Sequence, residues 1–138
     1  MKIKNEMADW GLRSASYWMT LFIAVGIIIV GVRFILFPRV GAAGFGIPLS
    51  NNADLAFGRI KGIRDIFSGL ALLPLLFFRM KKATAFVFTA AIIVPVTDCF
   101  LVYLNNGPDP SQLVPGITAV FMAITSFLLF MNTQKTIA

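Results

Sequence analysis

Residues 17–37 read YWMTLFIAVGIIIVGVRFILF, from Tyr17 to Phe37, with Arg33 as the one charged side chain. A helix needs about 20 predominantly apolar residues to cross the hydrocarbon of a bilayer, so this stretch predicts a membrane span. It is not a removable signal peptide, whose apolar core is about 7–15 residues long and is followed by a small-x-small cleavage pattern missing here. Three more runs of comparable length follow at about Ile60–Phe78, Ala83–Leu104 and Leu113–Met131. The expectation is an all-α protein, a four-helix transmembrane bundle forming a single integral membrane domain over residues 1–138.

Composition agrees. Of 138 residues, 58% are apolar or aromatic and 13% charged, against roughly 45–50% and 25% in soluble domains. A soluble domain this small could not hide so much apolar surface. Cys99 is the single cysteine and there is no histidine, which excludes an internal disulfide, a dithiol redox pair, a Cys/His zinc site and histidine acid–base catalysis. No cofactor and no metal are expected.

The basic excess, 12 Lys and Arg over 6 Asp and Glu, does not gather into a nucleic-acid patch. Lys2, Lys4, Arg13, Arg79, Lys81, Lys82 and Lys135 flank the apolar runs, which is how basic residues set membrane orientation. Those seven share one side, and the other two loops offer Arg39 with the membrane-edge Arg59 and Lys61, so both termini are expected to be cytoplasmic, in a bacterial cell membrane. Trp10, Tyr17 and Trp18 suit the aromatic belt on that side, and Tyr103 the opposite belt.

The connections differ in kind. Arg79-Met80-Lys81-Lys82 is a tight turn that makes the second and third helices antiparallel neighbours. Asn105-Asn106-Gly107-Pro108-Asp109-Pro110-Ser111 is a turn signal before the fourth. The first loop, Pro38–Arg59, is too long to be mere connection. Its Gly41, Gly44 and Gly46 permit sharp turns, while Phe45, Ile47 and Leu49 are too apolar for a segment left in water. It is expected to fold back as a lid, with Phe45 dipping toward Arg64 and Asp98.

Charge inside the spans marks the candidate site. Arg33 on the first helix, Arg64 and Asp65 on the second and Asp98 on the third all fall roughly 6–9 Å below the outer boundary at 1.5 Å per residue. Unpaired charge there costs at least ~2.5–3.5 kcal/mol, so these residues should face the interior and find partners, Arg64 or Arg33 with Asp98. At 100° per residue, Gly58, Gly62, Asp65 and Gly69 lie within about 60° of one another, a small-residue face that admits a second helix closely. On the third helix, Pro95 removes a backbone hydrogen bond and frees the Ala91 carbonyl just before Thr97 and Asp98. Cys99 reads as a small buried apolar residue.

The long first loop with Arg39 and Gly44-Phe45-Gly46, then Arg64-Asp65 followed by Gly69, then Asp98, resembles a family of small four-helix membrane proteins of uncharacterised function, similar to the DoxX-like group. The likeness runs from about Arg33 to Met131. It implies a four-helix bundle with polar residues gathered toward one membrane face. The histidine that members of this group often carry near the start of the fourth helix is replaced here by the stretch Ser111-Gln112-Leu113-Val114.

Other four-span families fit less well. Small multidrug exporters place a Glu in the middle of the first helix, where this chain has Ile27-Ile28-Ile29-Val30, and quinone-reducing thiol enzymes need paired cysteines. The leading expectation is a protein that holds a small or lipophilic ligand at Arg33, Arg64, Asp65, Asp98 and Phe45. One alternative is a membrane isomerase, hydrolase or cyclase in which Asp98 or Asp65 is catalytic and shuttles a proton. Another is a small transporter, and a purely structural ion-pair cluster accounts for the same charges. Expected partners are membrane lipids, a lipophilic small molecule and a second copy of the chain through the second helix, with no nucleic acid.

Overall fold

The computed structural model describes residues 10–134, with side chains up to Met131. Lys2, Lys4 and Lys135, which enter the orientation argument, lie outside the described residues. All regular structure described is helical: α1 (Ala15–Leu36), α2 (Pro38–Gly44), α3 (Asn52–Phe77), α4 (Lys81–Ala91), α5 (Ile93–Asn106), a 3-10 turn (Pro110–Gln112) and α6 (Leu113–Gln134).

Three helical stretches are long and apolar enough to cross a membrane: Ala15–Leu36, the α4–α5 stretch Lys81–Asn106, and Pro110–Met131. The expected second span is not among them, because α3 carries Lys61, Arg64 and Asp65 within its length. Large apolar side chains point outward along every long helix, among them Phe22, Ile29, Phe67, Phe100 and Phe127. The interior interleaves a few large side chains, Phe88, Leu76 and Leu129, with small ones, Ala24, Thr20, Thr84, Ala85 and Thr125, all of them fully buried. This inversion suits a protein whose surroundings are as apolar as its core, where helices associate by close contact of small residues.

The α1–α3 seam shows that contact most clearly. The helices run antiparallel, and Pro38, Gly31 and Ala24 face Gly58, Gly62 and Gly69. A methyl group added at Gly62 would stand 2.6 Å from the Gly31 carbonyl oxygen, and one at Gly31 would stand 2.5 Å from that of Gly62. The glycine face read from the sequence is therefore a packing face, buried along Gly58, Gly62, Asp65 and Gly69. It is filled by α1 of the same chain.

The first loop is more structured than its sequence announced. Pro38 opens α2 at a position where its missing N–H and fixed φ cost nothing. The helix α3 then starts at Asn52, about two turns before the expected Ile60, because Asn51 and Asp54 form a capping box. The Asp54 amide donates to the Asn51 side chain at 2.9 Å, and the Asn51 amide donates to Asp54 Oδ2 at 3.3 Å. Hydrogen bonds from the Ser50 amide and hydroxyl, with that from Asn51, hold the Asp54 carboxyl below the ordinary carboxylate value.

The expected third helix is interrupted at Ile92, giving α4 and α5. Pro95 lies at the third residue of α5, where it has no N–H to return to Ala91.

At the other end, α3 closes in a Schellman arrangement. The Arg79 amide donates to the Leu76 carbonyl at 3.0 Å and the Met80 amide to that of Leu75 at 2.8 Å. Arg79 has φ 52°, a left-handed conformation that costs an L-residue about 1–2 kcal/mol and is usually filled by glycine. Trp10, expected in a lipid-facing belt, is instead 2% exposed. Its indole N–H donates to Ser16 Oγ at 3.0 Å, and it joins Leu72, Leu76, Phe88, Met122 and Leu129 in the core. An indole placed just before α1 has an apolar body to bury and one donor to satisfy, and this position offers both.

Candidate functional site

At the end of the molecule remote from Trp10, one ammonium organises the charged layer. Lys61 is one turn before Asp65 on α3, on the face turned to α1 and α5. Its Nζ donates to Asp65 Oδ2 at 2.9 Å and stands 3.7 Å from Asp98 Oδ2 on α5. Asp65 is 3% exposed, and Lys61 and Asp98 are partly buried. The Asp65 and Asp98 carboxylates thus come together on either side of one cation.

That cation corrects the expected pairing. Arg64 and Arg33 have exposed side chains, and the ion pairs of Asp65 and Asp98 found among the described residues are with Lys61. Arg64 is about 100° around the helix from Asp65, too far to share its face. The i, i+4 spacing of Lys61 and Asp65 was a visible signal. A lysine near a membrane edge, however, reads first as an orientation residue.

The ammonium is roofed by aromatic rings. Lys61 Nζ lies 5.1 Å from the centre of the Phe34 ring on α1 and 4.9 Å from that of Phe45, just after α2. The rings meet edge to face at 5.8 Å. Phe45 thus reaches the charged layer as expected of the loop, but it meets Lys61 rather than Arg64, since the negative face of a ring attracts an ammonium. Gly41 of α2 lies against the Phe34 ring, where an added methyl would stand 3.2 Å from it.

The segment after Phe45 is tied across the mouth. Gly46 has φ 80°, and its carbonyl accepts a hydrogen bond from Asn106 Nδ2 at the end of α5. A side chain at Gly46 would collide with Ser111, so glycine answers both a left-handed backbone and a close approach. The Ser111 hydroxyl beneath it is buried without a hydrogen-bond partner in the described structure.

Beside this mouth, α5 and α6 leave an open-sided apolar groove of about 450 Å³. Val96, Cys99, Phe100 and Tyr103 line one wall, and Gln112, Gly116 and Ala119 the other. Cys99, expected to be merely buried, faces this groove, with its Sγ 3.9 Å from the Gln112 carbonyl oxygen. No residue pattern announces the groove, which depends on how far α5 and α6 stand apart. Among the described residues no three His, Cys, Asp or Glu side chains converge as metal ligands.

Chemically, the layer offers a partly desolvated ammonium, two carboxylates and two ring faces beside an apolar surface. No curated protein and no solved structure matches the chain. The chain does share one protein family's sequence pattern, and the likeness extends from the middle of α1, through the whole charged layer, into the last turns of α6. With residues 24–129 matched, the chain belongs to the family described as a domain of unknown function (DUF4267).

Proposed function

We propose that the protein is a four-span membrane bundle holding a small lipophilic molecule by its polar head at the Lys61–Asp65–Asp98 layer, beneath the Phe45 loop. The observation that carries this reading is the shared ammonium, set between two carboxylates and under two rings at the mouth of the helices. A cluster serving only to hold helices together has no need of an aromatic loop over it. In this reading α3 is the fourth span: its ion pair offsets charge internally, and Ile60, Ile63, Phe67 and Leu70 turn apolar surface outward. Arg33 and Arg64 form a cationic rim, and the α5–α6 groove receives the apolar part of the ligand. Both termini are cytoplasmic and the mouth faces outward. Such a bundle also agrees with the likeness of its short motifs, Gly44-Phe45-Gly46, Arg64-Asp65 and Asp98, to the DoxX-like group.

Thermal unfolding of the purified protein in detergent, with fractions of a native-membrane lipid extract, tests the reading. A fraction that raises the melting temperature of the wild type, but not of Asp98→Asn or Phe45→Ala, supports it. If every fraction leaves wild type and variants alike, the layer is structural and the reading falls.

A further inference from the structure

The opposite end of the molecule carries a second concentration of charge, unrelated to the ligand layer. Arg13 precedes α1, and Arg79 and Lys82 bracket the turn between α3 and α4. All three side chains are exposed. The antiparallel α1–α3 seam brings these segments together, and the Arg79 guanidinium lies against Gly11, where an added methyl would stand 3.2 Å from it. The described carboxylates, Asp54, Asp65, Asp98 and Asp109, lie within one turn of Lys61 or nearer the mouth; Glu6 and Asp9 are outside the described residues. Around the cations stand exposed Leu12, Trp18, Phe77, Phe78 and Met80. Basic side chains within a collar of Trp, Phe and Met match the boundary between acyl chains and headgroups.

Arg79 sharpens the case. It occupies the left-handed position of a Schellman turn, where glycine would be the easier residue, so its side chain is kept against a backbone preference.

We propose that this end binds the phosphate headgroups of anionic phospholipids through Arg79, Arg13 and Lys82. The charge complements an anionic leaflet, and the apolar collar fits a lipid surface rather than a soluble phosphate. The proposal rests on the membrane reading above but is independent of the Lys61 layer.

The test places wild type and variants in nanodiscs of phosphatidylcholine, alone or mixed in equal parts with phosphatidylglycerol, and measures the lipids retained after mild extraction by native mass spectrometry. Wild type is expected to retain phosphatidylglycerol preferentially. That preference should fall about five-fold for each cation removed, in Arg79→Gly and in Arg13→Ala/Lys82→Ala. Arg79→Gly should also keep its melting temperature in phosphatidylcholine alone, because glycine suits the turn.

Undiminished phosphatidylglycerol preference in both variants would overturn the proposal. So would a lowered melting temperature of Arg79→Gly in phosphatidylcholine with preference retained, which would make Arg79 a strut for Gly11. Displacement of the lipid by millimolar inorganic phosphate would assign the site to a free anion instead. Loss of preference in Arg39→Ala/Arg59→Ala alone would move it to the mouth. Insertion without lipid preference removes only this proposal, whereas failure of the wild type to enter discs removes the membrane reading as well.

Discussion

The two ends of the helices solve the same problem in opposite ways. Near the start of α1, Trp10 closes the core with a large apolar body, and its single donor is satisfied by Ser16. Near Lys61, the core ends in charge, covered by a loop whose Phe45 is half-buried and whose attachments are hydrogen bonds to exposed groups such as Asn106. Burying an indole is favourable in itself. Burying an ammonium and two carboxylates is repaid only while all of them remain together. The Trp10 end is therefore the stable one, and the Lys61 end is where opening, exchange and binding have the lower cost.

Truncation should expose this asymmetry most strongly. Trp10→Ala removes a fully buried aromatic and is expected to destabilise by about 3–5 kcal/mol. Phe45→Ala, half-buried at the mouth, should cost under about half of that. Unfolding of both variants in one detergent compares them directly, and equal losses would mean that the mouth is as tightly built as the plug.

Within the mouth, Lys61→Met leaves two carboxylates facing each other without their cation. Allowing for its partial exposure, it should cost about 2–4 kcal/mol. Asp98→Asn, which leaves the closer Lys61–Asp65 pair intact, should cost about 1 kcal/mol. A double-mutant cycle over Lys61 and Asp98 gives their coupling, and a value near zero would show that the longer contact carries nothing.

Arg64→Leu is the contrast to that pair. Because its side chain is exposed, its effect on stability is expected within about 0.5 kcal/mol. A loss as large as that of Lys61→Met would restore Arg64 as the cation of the cluster.

The smallest effect concerns pH at the entry to α3. Asp54 is held below the ordinary carboxylate value of 3.8 by donors from Ser50 and Asn51. Its contribution is complete above that value and is lost as pH falls through the lower folded value. Hydrogen exchange at the first turn of α3 should accelerate there while the α1–α3 seam stays protected. Uniform acceleration along α3 would deny the cap a local role.

The sequence by itself determined whatever follows from one helix at a time. Rise and rotation per residue are local properties, so hydropathy alone located the apolar helices. The same arithmetic put Gly58, Gly62, Asp65 and Gly69 on one face. Pro95 marked the freed Ala91 carbonyl by its missing N–H, though not the break itself at Ile92. The tertiary structure decided whatever depends on which helix turns toward which. It selected Lys61 over Arg33 and Arg64, because an ion pair between helices depends on their mutual rotation, and no single-helix pattern records that. It drew Trp10 into the core and set Phe45 over the ammonium, because a flanking residue's burial depends on the space that distant segments leave for it. It also spread α5 and α6 into a groove that exists only between them.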